Sequence, residues 1–110
     1  MIIVGKGSNV TLTWDYDLAS NLKCTGFYAI LAMAVGGQQF MRNTVLAAER
    51  SYTMQQNNSG VYKMGVQAIS TDPLVVASPV VYAAEEIQVV ANAPVQNITL
   101  AAPTNVRVSA

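Results

Sequence analysis

A chain of 110 residues with no net charge, six basic against six acidic side chains, is long enough to bury a core of its own as one domain. Charged residues make up 11% of it and apolar residues 52%. Since roughly 25% charged is ordinary, part of the surface is expected to be covered by another molecule. The scattered single cations argue against nucleic acid, which needs a basic cluster to displace counterions, and no apolar run approaches the roughly 18–20 residues of a membrane span.

The opening "MIIVGKGSNV" is too short and too broken by glycine for a signal peptide, which points to a chain first folded in a cytosol. The lone Cys24 agrees, since one thiol makes no internal disulfide. The N-x-[ST] triplets at Asn9, Asn57 and Asn97 are then expected to stay unmodified. Period-two alternation is the dominant signal along the chain. In "NVTLTWDY", Val10, Leu12 and Trp14 fall on one face and Thr11, Thr13 and Asp15 on the other, which predicts a strand half in the core and half in water. "GFYAILAMAV" (26–35) is apolar throughout and predicts a central strand covered on both faces. A buried helix is the other reading, but Gly26 and the Gly36-Gly37 pair bound the segment as turns bound a strand. "QQFMRNTV" (38–45) and "ERSYTMQ" (49–55) predict two shorter strands, and "NNSG" a turn. In "VYKMGVQAI", Tyr62, Met64, Val66 and Ala68 share a face opposite Lys63, Gly65 and Gln67. "STDPL" (70–74) predicts another turn, and "SPVVYAAEEIQVV" a last core strand with Pro79 at its start, where a missing N–H is tolerated. Short strands with turn signals about every 8–12 residues predict an all-β, antiparallel sandwich or barrel.

After about Val90 the texture changes. "ANAPVQNITLAAPTNVRVSA" has no aromatic residue, two prolines and two short alternating runs. The division expected is a sandwich over 1–90 and an extended arm over 91–110, the arm pairing with a sheet edge in its own domain or in a neighbour. Ile98, Leu100, Val106 and Val108 are its candidate assembly contacts, since alternating β-branched residues are unusual in disordered tails.

Catalytic chemistry finds little footing. Without histidine the usual general base and the commonest metal ligand are missing, and one cysteine makes no ordinary zinc site. Cys24 beside Lys23 lacks a base to orient it and reads as a half-buried thiol near a strand end. Asp15 and Asp17 lie on one side of an extended segment and, with Asp72, are too few for calcium. Glu85-Glu86 reads as a wet strand face rather than a hydrolytic pair. Gly36-Gly37, with no GK[ST] after it, reads as a hairpin turn and not a phosphate loop. Tyr16, Tyr28, Tyr52, Tyr82, Phe27 and Phe40 are assigned mostly to the core, with a sugar-stacking platform as the rival. No enzyme activity, cofactor or metal is expected.

"GSNVTLTW" (7–14) and "SGVYKM" (59–64) resemble the second and sixth strands of immunoglobulin-like and fibronectin type III sandwiches. In the immunoglobulin pattern cysteines stand where Trp14 and Met64 stand here. The fibronectin type III pattern has no disulfide, a tryptophan in the second strand, and a sixth strand like Tyr62-x-x-x-Val66-x-Ala68; "ASPVVY" (77–82) is similar to that family's entry into its last strand. The resemblance covers residues 7–90 and implies a core of Val10, Leu12, Trp14, Tyr62, Met64, Val66 and Ala68, with Tyr62 as a tyrosine-corner residue and Trp14 against Met64 in place of a disulfide. It implies little about activity, because such sandwiches host many roles. Small immunoglobulin-like chains without a signal also resemble accessory proteins of tailed bacteriophage virions. The expectation is therefore a non-enzymatic structural subunit located in the virion, a capsid decoration (cement) protein ahead of a neck or tail subunit. It is expected to be anchored by strand pairing to other protein subunits and to be homo-oligomeric, with a trimer as the specific expectation. The alternatives are a carbohydrate- or receptor-binding module and a spacer from a tandem fibronectin type III-like array, for which "APTNVRV" (102–108) resembles the start of a next repeat.

Overall fold

Every regular element among the described residues of the computed structural model, which cover 1–16 and 23–102, is a β-strand. In chain order these are β1 (Ile2–Gly5), β2 (Ser8–Thr13), β3 (Gly26–Met33), β4 (Gln39–Leu46), β5 (Ser51–Gln56), β6 (Gly60–Ile69), β7 (Val81–Tyr82), β8 (Ile87–Val90) and β9 (Asn97–Ala101). They form two sheets. The larger has six strands in the order β1-β8-β6-β3-β4, with β7 also paired to β6; the smaller has three, β5-β2-β9.

Alternation explains the layering. Val10 and Leu12 of β2, with Trp14 just past its end, meet Tyr62, Met64, Val66 and Ala68 of β6 in one buried cluster, none of them more than 4% exposed. Phe27, Ala29 and Leu31 of β3 and Ile87 and Val89 of β8 complete it. Trp14 packs its ring on Phe27, centroids 5.4 Å apart, and Tyr16 meets the same ring edge-on at 5.0 Å. Ile30 and Ala32 are equally buried but belong to the opposite face of β3. β3 is thus covered on both sides, which is why it shows no alternation, whereas Val35 beyond its end is exposed. Gly36 and Gly37, at φ 84° and 69°, make the turn into β4, a conformation that costs glycine little.

Two expectations change. The sheets are mixed rather than antiparallel: β1 runs parallel to β8 and β9 parallel to β2. Each pair joins strands from opposite ends of the sequence, so no tight hairpin dictates their direction. The predicted last strand is also two strands. Tyr82 faces Gly65 while Ile87 faces Tyr62, so five steps on one side meet three on the other and the intervening residues bulge out.

The segment after Val90 is part of the body as far as Ala102. It crosses from the large sheet to the small one over the β1–β2 turn, held by Gly5 N–H to the Pro94 carbonyl at 2.8 Å, Gln96 N–H to Ser8 Oγ at 2.9 Å, and Asn9 N–H to the Gln96 carbonyl at 3.0 Å. A side chain at Gly5 would collide with the Ala93 carbonyl. β9 then lies along β2 with Ile98 beside Val10 and Leu100 beside Leu12.

Candidate interaction surface

The sequence-predicted chemical groups do not converge. Cys24 is buried, at 4% exposure rather than half-buried, with its thiol 3.2 Å from the Gly26 carbonyl. Asp72 accepts a bond from the Leu74 N–H at 2.9 Å and so shapes the 70–74 turn. Asp15 is exposed and Asp17 lies outside the described residues. Among the described residues no group of three or more His, Cys, Asp or Glu side chains gathers as a metal site would require. No described helix is long and apolar enough to cross a membrane.

Two concave places formed by described residues are small. An open cleft of about 120 Å³ beside Trp14, Asp15 and Ala102 is below the roughly 300 Å³ at which small-molecule sites begin. A second, between β4 and β5 and lined in part by Phe40, Met41, Gln56 and Tyr62, has about 10 Å³, room for one water at most.

The aromatic residues divide. Trp14, Tyr16 and Phe27 stack within the core, and Tyr52 packs against it from the small sheet. On the outer face of the large sheet the Arg42 guanidinium lies 4.5 Å from the Tyr28 ring centre and the Lys63 ammonium 4.3 Å from that of Tyr82. Arg42, Ile30, Gly65 and Tyr82 form one row across β4, β3, β6 and β7. The cations cover the ring faces that a sugar would stack on.

The candidate arm contacts have different surroundings. Leu100 is 5% exposed and belongs to the chain's own core, with Ile98 packed against that core. Both face the chain's own core because β9 completes the small sheet, the own-domain pairing expected for this segment. Val106 and Val108 lie outside the described residues.

What stands open is β4. It ends the large sheet, pairs on one side only, and over eight residues is buried at Val45 alone. Three of its side chains are large, apolar and exposed: Phe40 at 48%, Met41 at 39% and Leu46 at 72%. Its register against β3 slips between Leu31 and Ala32, which makes Phe40 the extra residue of a bulge and brings its ring to 5.8 Å from that of Tyr62. The only charge on the strand is Arg42, already drawn over Tyr28. Of the devices that guard edge strands in soluble proteins, β4 has the bulge at Phe40 and the single charge of Arg42, and it lacks Lys, Pro and shortness. Sequence reasoning found the strand and missed its position. Its one signal was the weak alternation of "QFMRNTVL", which is not that of a half-buried strand.

Comparison of the chain with known protein families, curated proteins and solved structures gave no match.

Proposed function

We propose that this chain is a non-enzymatic structural subunit of a larger protein assembly, joined to its neighbours by pairing at a strand edge. The observation that carries the reading is β4: eight residues of unpaired backbone edge, flanked by exposed Phe40, Met41 and Leu46 on a molecule nearly bare of charge. Main-chain hydrogen bonds at such an edge supply affinity, and the side chains beside it supply specificity. The finer reading is an immunoglobulin-like or fibronectin type III-like sandwich serving as a virion subunit, capsid decoration first. Three features support the sandwich type: the strand orders β4-β3-β6-β8 and β5-β2, the buried Trp14 after the second strand, and the Tyr62 hydroxyl donating to the Ser59 carbonyl at 3.1 Å as a tyrosine corner does. The covered rings of Tyr28 and Tyr82 favour assembly over a glycan-binding module.

Sedimentation of the full chain over a wide concentration range tests the reading. A mass above one chain that rises with concentration is expected. A monomer throughout, stabilised thermally by a sugar, would replace this function with the binding-module alternative.

A further inference from the structure

Four strands end the two sheets among the described residues, and their open edges are unequal. β5 exposes Ser51, Thr53 and Gln55, and β9 exposes Asn97, Thr99 and Ala101, side chains that water solvates well or that offer little area. β1 is only four residues long. β4 is twice that length and carries the apolar side chains.

We propose that two copies of this chain join at β4, antiparallel, with Asn43 of each on the two-fold axis, so that the two large sheets run on as one. The inference rests on the assembly reading above and names the partner.

The backbone is oriented for it. Beyond the end of β3, Ala34 donates to the Val61 carbonyl on the β6 side, while Met33 donates to Gln38 on the β4 side. Antiparallel ladders alternate in this way, so Leu31, Ala29 and Phe27 bond toward β4. Their partners Met41, Asn43 and Val45 turn their amides inward. Arg42, Thr44 and Leu46 turn theirs out toward a second chain, although the Leu46 carbonyl already accepts the Glu49 N–H at 3.0 Å.

The side chains select the partner and the register. A two-fold axis through such a pair sets one residue opposite its own copy. Arg42 there would bring two guanidinium groups together, which is destabilising. Thr44 there would carry Phe40 past the end of the opposing strand. With Asn43 on the axis, Arg42 faces Thr44 and Met41 faces Val45. Leu46 of each copy then stays on the outer face with Arg42 and Thr44, while Phe40 turns to the inner face against its own Tyr62. No like charges meet, and a chain of zero net charge does not repel its own copy at long range.

Two sets of variants test this on the full chain. Thr44→Pro removes an outward N–H at an edge, where proline is tolerated, and leaves the bonds to β3 in place. Sedimentation is expected to show the wild type associating and Thr44→Pro as a monomer with an unchanged β-sheet circular dichroism spectrum. Asn43→Cys sets two thiols opposite each other in a non-hydrogen-bonded pair, Cβ atoms about 4.5–5.5 Å apart. Mild oxidation is expected to give a covalent dimer that reductant reverses, while Thr44→Cys, which faces Arg42, stays unlinked. Cys24 is buried and does not compete. A folded Thr44→Pro chain with the wild-type mass would overturn this interface and leave assembly through another surface standing, as would Thr44→Cys linking as fast as Asn43→Cys. A wild type that is monomeric at every concentration would overturn both.

Discussion

Trp14 is 4% exposed, packs on Phe27, and closes the end of the core beyond β2, yet its indole N–H has no hydrogen-bond partner among the described residues. The two facts pull in opposite directions. Trp14→Ala loses the ring and leaves a cavity, at about 3–5 kcal/mol, enough to unfold a marginal domain. Trp14→Phe keeps most of the packing and removes an unsatisfied donor, so urea melts should rank it well above Trp14→Ala in stability. Ser78 holds a different kind of stake. Its hydroxyl accepts the Ala68 N–H at 2.8 Å and donates to the Pro79 carbonyl at 2.9 Å, at 3% exposure. Ser78→Ala would leave a buried amide of β6 unpaired, a loss of about 1–3 kcal/mol. The same melts would measure it, and hydrogen exchange at the Ala68 amide should quicken.

At the scale of elements, β9 decides how the C-terminal segment behaves. Leu100 lies beside Leu12 in the core, so Leu100→Ala should cost about 2–5 kcal/mol. A chain ending at Val90 should expose the whole edge of β2 and bind a hydrophobic dye at temperatures where the full chain does not. Aggregation of that shortened chain would report a broken sandwich rather than a lost interface. Much of this architecture is legible in the sequence. β2 and β6 are readable because each has one dry face and one wet face, so Val10-Leu12 and Tyr62-Met64-Val66-Ala68 announce themselves. β1 is not, since "IIVG" is too short to show a period. The run "NITL" reads as a strand that pairs with an edge, but the edge it uses is set by bonds such as Pro94 to Gly5 and Gln96 to Ser8. One of these is purely backbone and leaves no mark in residue type. The candidate site is the least legible part. That β4 lies at the border of its sheet comes from the order of strands in space, and no local pattern encodes it.

At the scale of the whole molecule, one end of each sheet is built by a pairing between the start and the end of the sequence: Ile2 with Ile87, and Val10 with Ile98. The β3–β4 and β3–β6 pairs, joined by shorter connections, form a unit that needs neither end. Native-state hydrogen exchange should therefore be slowest at Tyr28, Ile30 and Ala32, whose amides turn toward β6, and faster along β1 and β9, where opening one edge strand is enough. Equal protection across both groups would mean that the sandwich opens only as a whole. Such distant pairings also make folding slow. A ribosome adds roughly 5–20 residues per second, so β1 and β2 emerge on the order of ten seconds before the strands that complete them. During that interval the β2 edge that β9 will cover is an open template for any other extended chain, even after β5 has paired with its other side. The order of synthesis thus works against the order of the fold, and growth at lower temperature, or help from a chaperone that shields the early strands, should raise the yield of soluble protein without changing the stability of what has already folded.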